Sequence, residues 1–490
     1  MTRSLRLPAL RALALAALLA AGCATNPVSG RREFSLVSSG QEEQMGREGY
    51  KAVLAEYGAY DDTTVQAYVT SVGRRLASVS HLPGLDWHFT VLDDPTVNAF
   101  AMPGGYIYIT RGILAHLNSE AQLAGVLGHE IGHVTARHTA RQITRQQIAG
   151  LGLGVASVLS PAVARYGQVA QQGLGLLFLS YSRDNETEAD QLGVAYATKG
   201  GWDPREIPAT YHMLGRVSDA AGQRLPGYLS THPDPGDREV RTREEAQVAA
   251  AGKTGLAVNA TAYVEHLQGL VFGKDPRAGY FAGERYFNPG LKLEIALPPG
   301  WTYQDSRAAL MAGFPGAEQG SLRAQMELSA VDAGTRGPSE YADDLARRGA
   351  VAGTSGGAES IGGHAAWVGR VAVRQQDGST RWLVAGWVRW APQTMLQTLG
   401  VSADPGGADE ARIFASLRSL RDLTDPARLD VRPDRVRLEK VTVAAPFSAL
   451  IPRFGPQALT LDQTSVLNNL DRDQAVPAGR LLKIVEPGRR

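Results

Sequence analysis

The chain has 490 residues, of which 20% are charged, and its 50 lysines and arginines against 49 aspartates and glutamates leave a formal net charge of +1. That length asks for more than one core, and so even a charge balance gives no basis for nucleic acid as a partner. One cysteine, Cys23, excludes disulfides within the chain and any cysteine-rich zinc site.

In residues 1–22 Arg3, Arg6 and Arg11 precede the apolar run LALAALLAAG, and Cys23 follows at once. The run has the length of a signal-peptide core and falls short of the about 20 residues that a membrane span needs, so cleavage is expected. The segment resembles a bacterial lipoprotein signal, in which Cys23 becomes the lipidated N-terminus; Ala24 in place of aspartate then favours the outer membrane. The alternative is a plain secretory signal with an incidental cysteine. Residues 23–40 read as a polar leader.

QEEQMGREGYKAVLAEYG and TTVQAYVTSVGRRLASVS place apolar residues at helical spacing. LDWHFTVLDD alternates like a strand, and YIYITRGIL reads as a second strand running into a turn. Between them PTVNAFAMPGG carries a Pro-Gly-Gly turn signal. Ser119, with Gln122 three places on, fits a capping box that starts a helix through Leu123, Val126 and Leu127. Ile148 to Leu179, rich in Gly, Ala, Leu and Val and broken by Pro161, reads as a buried helical hairpin. Its alternative is an apolar surface near the active site or lipid. DNETEADQLGVAYATKG reads as a further helix ending near Gly200 or Gly201.

The texture changes after about residue 250. Residues 251–274 read as a linker, and 275–428 as a smaller α+β domain built on LKLEIALPPGW, LRAQMELSAV and AAWVGRVAVRQQDGSTRWLVAGWVRW, with a helix in ADEARIFASLRSL. Trp367, Trp382, Trp387 and Trp390 at strand spacing are read as core rather than as a binding face. Residues 429–490 are similar to a LysM module, which implies binding of peptidoglycan or a partner protein; a structural cap is the alternative.

The chemistry is concentrated in GVLGHEIGHVTARH. At about 100° per residue His129 and His133 lie within about 40° of each other on a helix, so both imidazoles can meet one zinc ion. Glu130 beside them can take a proton from an activated water. His138, nine residues after His129, is expected on the opposite face as a surface or packing residue, and Thr139 stands where a longer motif would need a histidine. Gly128 and Gly132 are costly inside a helix unless close approach repays them, and are expected to leave room beside the metal. In SRDNETEAD, Glu186 and Asp190 share a face and Glu188 points away. One carboxylate can bind zinc while the other supports a histidine ring.

HEIGH, followed about fifty residues later by SRDNETEAD and Gly193, resembles the zinc metallopeptidases related to HtpX and the CAAX prenyl proteases. NPVSGRREFSLVS, VNAFAMPGGYIYITRGIL and THPDPGDR narrow the likeness to the soluble periplasmic BepA/YfgC-like branch, over residues 26 to about 240. The resemblance implies an α+β fold in which residues 41–250 form a mainly helical, gluzincin-like zincin domain with a small edge sheet. It implies one zinc ion held by His129, His133 and Glu186, with Asp190 behind a ligand and Glu130 as the base. Asn98, Ala99, Phe100, Ala101 and Met102 would pair with a substrate backbone, His232 would be a fourth ligand that holds the enzyme latent, and Arg238 would stabilise the oxyanion. The expected function is a periplasmic, outer-membrane-anchored endopeptidase that removes misfolded or stalled envelope proteins. Its rival is a latent protease acting as a chaperone or scaffold. After residue 250 the 34-residue helical repeat of the branch's best-known member is missing, so a particular client does not carry over.

Overall fold

The computed structural model describes residues 23–152, 181–220, 232, 235–316, 321–375 and 378–489. Residues 1–22, where a signal segment is expected, most of the apolar stretch from Ile148 to Leu179, and Thr231, Pro233 and Asp234 of the sequence THPDPG lie outside the described residues. The chain divides into two units, residues 1–274 with 434–487, and residues 275–433 with 488–490. Among the described residues no helix is long and apolar enough to cross a membrane.

The first unit opens with a short hairpin, β1 (Cys23–Thr25) against β2 (Arg32–Phe34). Helix α1 (Ser39–Tyr57) begins at a reciprocal Ser38–Gln41 capping box and stops at Gly58, whose φ of 70° a side chain would resist. Helix α2 (Thr63–Ser78), capped by Asp62, buries Val65, Val69, Val72 and Leu76 on one stripe against β3 (His88–Leu92). Strand β3 runs parallel to β5 (Tyr106–Thr110), which is buried throughout, and β4 (Ala99–Met102) pairs antiparallel with the other side of β5. The turn expected after β5 is instead a helix, α3 (Arg111–His116), because Thr110 Oγ1 accepts from Ile113 N and caps it.

Helix α4 (Glu120–Thr135) carries the histidine motif and packs between β4 and α6 (Arg183–Lys199). Ser119 Oγ accepts from Gln122 N at 3.2 Å, but the Gln122 side chain turns to Asn118 N at 2.8 Å, so the expected capping box closes on one side only. A Cβ on Gly128 would meet Gly193 O at 3.1 Å, and one on Gly132 would meet Leu192 Cβ at 3.1 Å. These glycines therefore make room for α6, not for space beside a metal. Their close crossing brings the carboxylates of α6 to the histidines. Helix α5 (His138–Gly152) follows α4, and α7 (Ile207–Ala220) and α8 (Pro235–Ala250) complete the layer over α6.

Residues 434–487, expected as part of a separate module, belong to this first unit. Strand Arg435–Lys440 pairs antiparallel with Leu481–Glu486, with helix Leu461–Asn468 between them. Val436, Leu467 and Val485 enter the same core as Leu123 and Leu127 of α4. Buried Lys483 donates from Nζ to Ala115 O at 2.6 Å and Leu117 O at 2.7 Å, satisfying carbonyls at the end of α3.

The second unit is sheet-rich. Its larger sheet is antiparallel throughout, in the spatial order Gly353–Ile361, His364–Arg374, Thr380–Arg389, Thr394–Ser402, Leu322–Asp332, Ala309–Pro315, Thr302–Asp305. Helices Pro338–Arg347 and Ala408–Arg418 pack on it, and a smaller sheet holds Leu293–Ala296 between Arg421–Asp422 and Arg285–Asn288. Trp367 and Trp387 are buried cross-strand partners, as expected of core, whereas Trp382 is 44% exposed and Trp390 half-buried.

Candidate metal centre

One turn of α4 separates His129 from His133, and their Nε2 atoms lie 2.9 Å apart. From α6, Glu186 brings Oε2 to 3.6 Å from His129 Nε2 and Oε1 to 3.5 Å from His133 Nε2. His232 contributes Nδ1, 3.3 Å from His129 Nε2 and 3.0 Å from Glu186 Oε1. All four side chains are buried, with one donor atom from each within 4.8 Å of the others. A tetrahedral zinc ion with ligand bonds of about 2.0–2.1 Å separates its donors by about 3.3 Å, so this nitrogen and oxygen set has the chemistry and spacing that fit one.

Each ring is held from behind. His129 Nδ1 lies 2.9 Å from Asp190 Oδ1, which leaves Nε2 free to face the other donors. Asp190 in turn receives Arg238 Nη2 at 2.6 Å, Arg241 Nη2 at 3.0 Å and Tyr211 OH at 2.6 Å. Burial alone would raise the Asp190 pKa, but Arg238 and His129 outweigh it and hold the carboxyl well below its usual range. Arg238 also reaches Glu186 Oε2 with Nη1 at 2.8 Å and lies over the Tyr211 ring. Read alone in the sequence it is an ordinary surface arginine; it is in fact 2% exposed and bound to both carboxylates.

Glu130 lies next to the donors and is completely buried, with no hydrogen-bond partner for either carboxylate oxygen among the described residues. Desolvation pushes its pKa up, with His232 and His129 opposing. A buried carboxylate whose charged form is disfavoured is a better proton acceptor than one in water. His232 Nε2 stands 3.7 Å from Glu130 Oε1.

His138 departs from expectation. Helix α4 ends at Thr135, and Arg137 has a φ of 56°, so the even rotation that placed His138 on the opposite face does not continue. The chain doubles back, and His138 Nδ1 comes to 2.8 Å from His133 Nδ1. Arg137 is fixed in that turn by Glu42 Oε2 and Val37 O, each at 2.9 Å. Glu188 does point away from the four donors, yet its Oε2 lies 3.0 Å from His138 Nε2. That bond first, and Arg141 after the opposing effect of burial, lower the Glu188 pKa to about 2.

Sequence reasoning did not find Tyr181, whose ring stacks on His133 at 4.0 Å and whose OH lies 2.9 Å from Thr139 Oγ1. Tyr211 was missed as well, and neither belongs to a spaced motif. Arg241 had a signal, standing three residues after Arg238 and so on the same face of α8.

Strand β4 is the edge beside the motif helix. Thr110 N donates to Asn98 O at 3.0 Å, so the alternating antiparallel pattern turns Phe100 and Met102 toward β5 and leaves the backbone groups of Ala99 and Ala101 facing away from it.

Two helix-borne histidines with a glutamate between them, a carboxylate from a second helix and an edge strand alongside are the features of a metallopeptidase. A family model described as Peptidase family M48 matches residues 63–246. The chain is 34% identical over 237 residues to the mitochondrial metalloendopeptidase OMA1 of Schizosaccharomyces pombe, a match that covers 45% of this chain and 67% of that protein. It is 34% identical to the mitochondrial metalloendopeptidase OMA1 of Arabidopsis thaliana, covering 46% of each. It is 32% identical to the beta-barrel assembly-enhancing protease of Escherichia coli, covering 45% of this chain and 47% of that one. The matches thus span about half the length of the latter two relatives. The chain belongs to peptidase family M48 and is a metalloendopeptidase by class.

Proposed function

We propose that the chain is a zinc-dependent endopeptidase of the bacterial cell envelope that hydrolyses misfolded or stalled membrane and periplasmic proteins, and that it rests in a latent state. The observation that carries this reading is Glu130, buried beside His129, His133 and Glu186 with no hydrogen-bond partner among the described residues. Those three would hold one zinc ion, which when bound polarises a water and the scissile carbonyl. Glu130 takes the proton from the water on a carboxylate oxygen and returns it to the leaving amine. A substrate strand adds to Asn98–Met102, using the outward backbone of Ala99 and Ala101 and fixing the scissile bond over the donors. Asp190 orients His129, and Arg238, anchored on Asp190 and Glu186, is the cation for the developing oxyanion.

Latency is assigned to His232, whose Nδ1 joins the donors while Nε2 faces Glu130. The ring thereby fills the ground that water and carbonyl need. Envelope clients are supported by the name of the E. coli relative, a protease that enhances β-barrel assembly. Cys23 is the residue proposed to carry lipid and tether the chain to the outer membrane. The buried His232 also favours a second reading, a latent protease acting mainly as a chaperone or scaffold, with the C-terminal region binding a partner protein or peptidoglycan.

Zinc content and casein cleavage of the wild type, Glu130→Gln and His232→Ala test these readings. Zinc is expected in all three, with cleavage lower by about 10²–10⁴-fold in Glu130→Gln and higher than wild type in His232→Ala. A wild type that takes up no zinc, with no cleavage in any variant, would sink the enzyme reading. Unchanged activity in His232→Ala removes the latch alone.

A further inference from the structure

His133 makes a second ring contact that the proposed reaction does not use. Its Nδ1 lies 2.8 Å from His138 Nδ1, and His138 Nε2 lies 3.0 Å from Glu188 Oε2. Two ring nitrogens at that distance need one proton between them. An ionised Glu188 can only accept, so the hydrogen of His138 sits on Nε2, and a neutral imidazole protonated there offers Nδ1 as an acceptor. The shared proton then belongs to His133 Nδ1. That leaves a bare lone pair on His133 Nε2, the atom 2.9 Å from His129 Nε2 and 3.5 Å from Glu186 Oε1. The other His138 tautomer would turn two N–H groups against each other or put the proton of His133 on the side of the donors. Arg141 Nη2, 2.9 Å from the same Glu188 oxygen, anchors the far end.

We propose that His138 and Glu188 are positioning residues for the metal centre. A Glu188–His138–His133 relay sets the tautomer and ring orientation of one histidine, as Asp190 does directly for His129. The relay needs an extra ring because Glu188 faces away from the donors, and the reversal at Arg137 is what swings that ring into place. The inference rests on His133 being a metal ligand. It adds two residues that touch neither the donors' open side nor a substrate strand at β4.

The test is the zinc affinity of the full chain, by competition with a chromogenic chelator, together with the visible absorption of the cobalt-substituted protein. His138→Phe keeps the ring volume and removes both bonds; zinc binding is expected to weaken by about 10–100-fold. His138→Asn, whose Oδ1 takes the place of Nδ1 as acceptor, is expected to recover most of that loss, which a mere packing role would not allow. Glu188→Leu alters a side chain that is 31% exposed, so the fold tolerates it, and it is expected to weaken zinc and shift the cobalt bands. Wild-type affinity and spectrum in Glu188→Leu, or equal losses in His138→Asn and His138→Phe, overturn the relay and leave the enzyme reading standing. A wild type that binds no zinc overturns both. Should His138→Phe fail to fold, Glu188→Leu decides.

Discussion

His116 shows how a single ring in the first unit makes stability depend on pH. It donates from Nδ1 to Gly112 O at 2.8 Å, and burial outweighs the opposing effect of that bond and pulls its pKa from 6.5 to about 4. Because the folded value lies below the unfolded one, the unfolded chain takes up more protons between those values. The contribution of the neutral ring is therefore complete above pH 6.5 and is lost as pH falls toward 4, by at most about 3 kcal/mol. Urea midpoints measured at pH 7, 5 and 4 in a chelator, which removes metal as a variable, are expected to fall less steeply for His116→Gln than for wild type. Equal slopes would show that the ring does not carry this dependence.

At the scale of elements the crossing of α4 and α6 governs the site, since His129 and His133 ride on one and Glu186 and Asp190 on the other. The Cβ of a Gly128→Ala variant would stand 3.1 Å from Gly193 O and 3.2 Å from Gly193 Cα. Backbone cannot swing aside as a side chain does, so the helices must part by a few tenths of an ångström. A loss of about 1–3 kcal/mol is expected in thermal or urea unfolding, with weaker zinc binding. Gly215→Ala on α7 is the control: its Cβ meets nothing within 4 Å, and the shorter list of unfolded conformations is expected to stabilise the chain by about 0.4–1 kcal/mol. Equal behaviour of the two variants would deny the crossing its role. Most of this layer is legible in the sequence, because apolar stripes and a cap such as Ser119 are local signals. The pair His129 and His133 follows from helix geometry alone. Glu186 needed a resemblance to single it out from Asp190, and His138 was misplaced because one residue with φ of 56° undoes an extrapolated rotation.

Whole-molecule organisation was less legible, because it depends on contacts between distant parts of the chain. The likeness of the tail to a LysM module suggested a separate body, and nothing local in VPAGRLLKIV tells that Lys483 serves the carbonyls of Ala115 and Leu117. The chain leaves the first unit after Lys274 and returns at Asp434. The two ends are neighbours there: Phe272 N donates to Asp434 O at 2.8 Å, and Val271 bridges to Arg435. A short glycine linker can therefore replace residues 275–433 without straining the first unit. Ending the chain at Lys274 is a different operation. It strips Val436, Leu467 and Val485 from the core around α4, each worth about 1.5–3 kcal/mol, and removes Ser465 Oγ and Leu470 O, which accept from Arg216 at 2.6 and 3.0 Å. Set against the about 5–15 kcal/mol that holds a typical domain together, that loss is large enough to unfold it. The linker variant is expected to melt cooperatively and bind zinc as the full chain does, while the truncated one melts far lower or fails to retain metal. A truncated chain as stable as the linker variant would mean that the returning segment is an appendage after all.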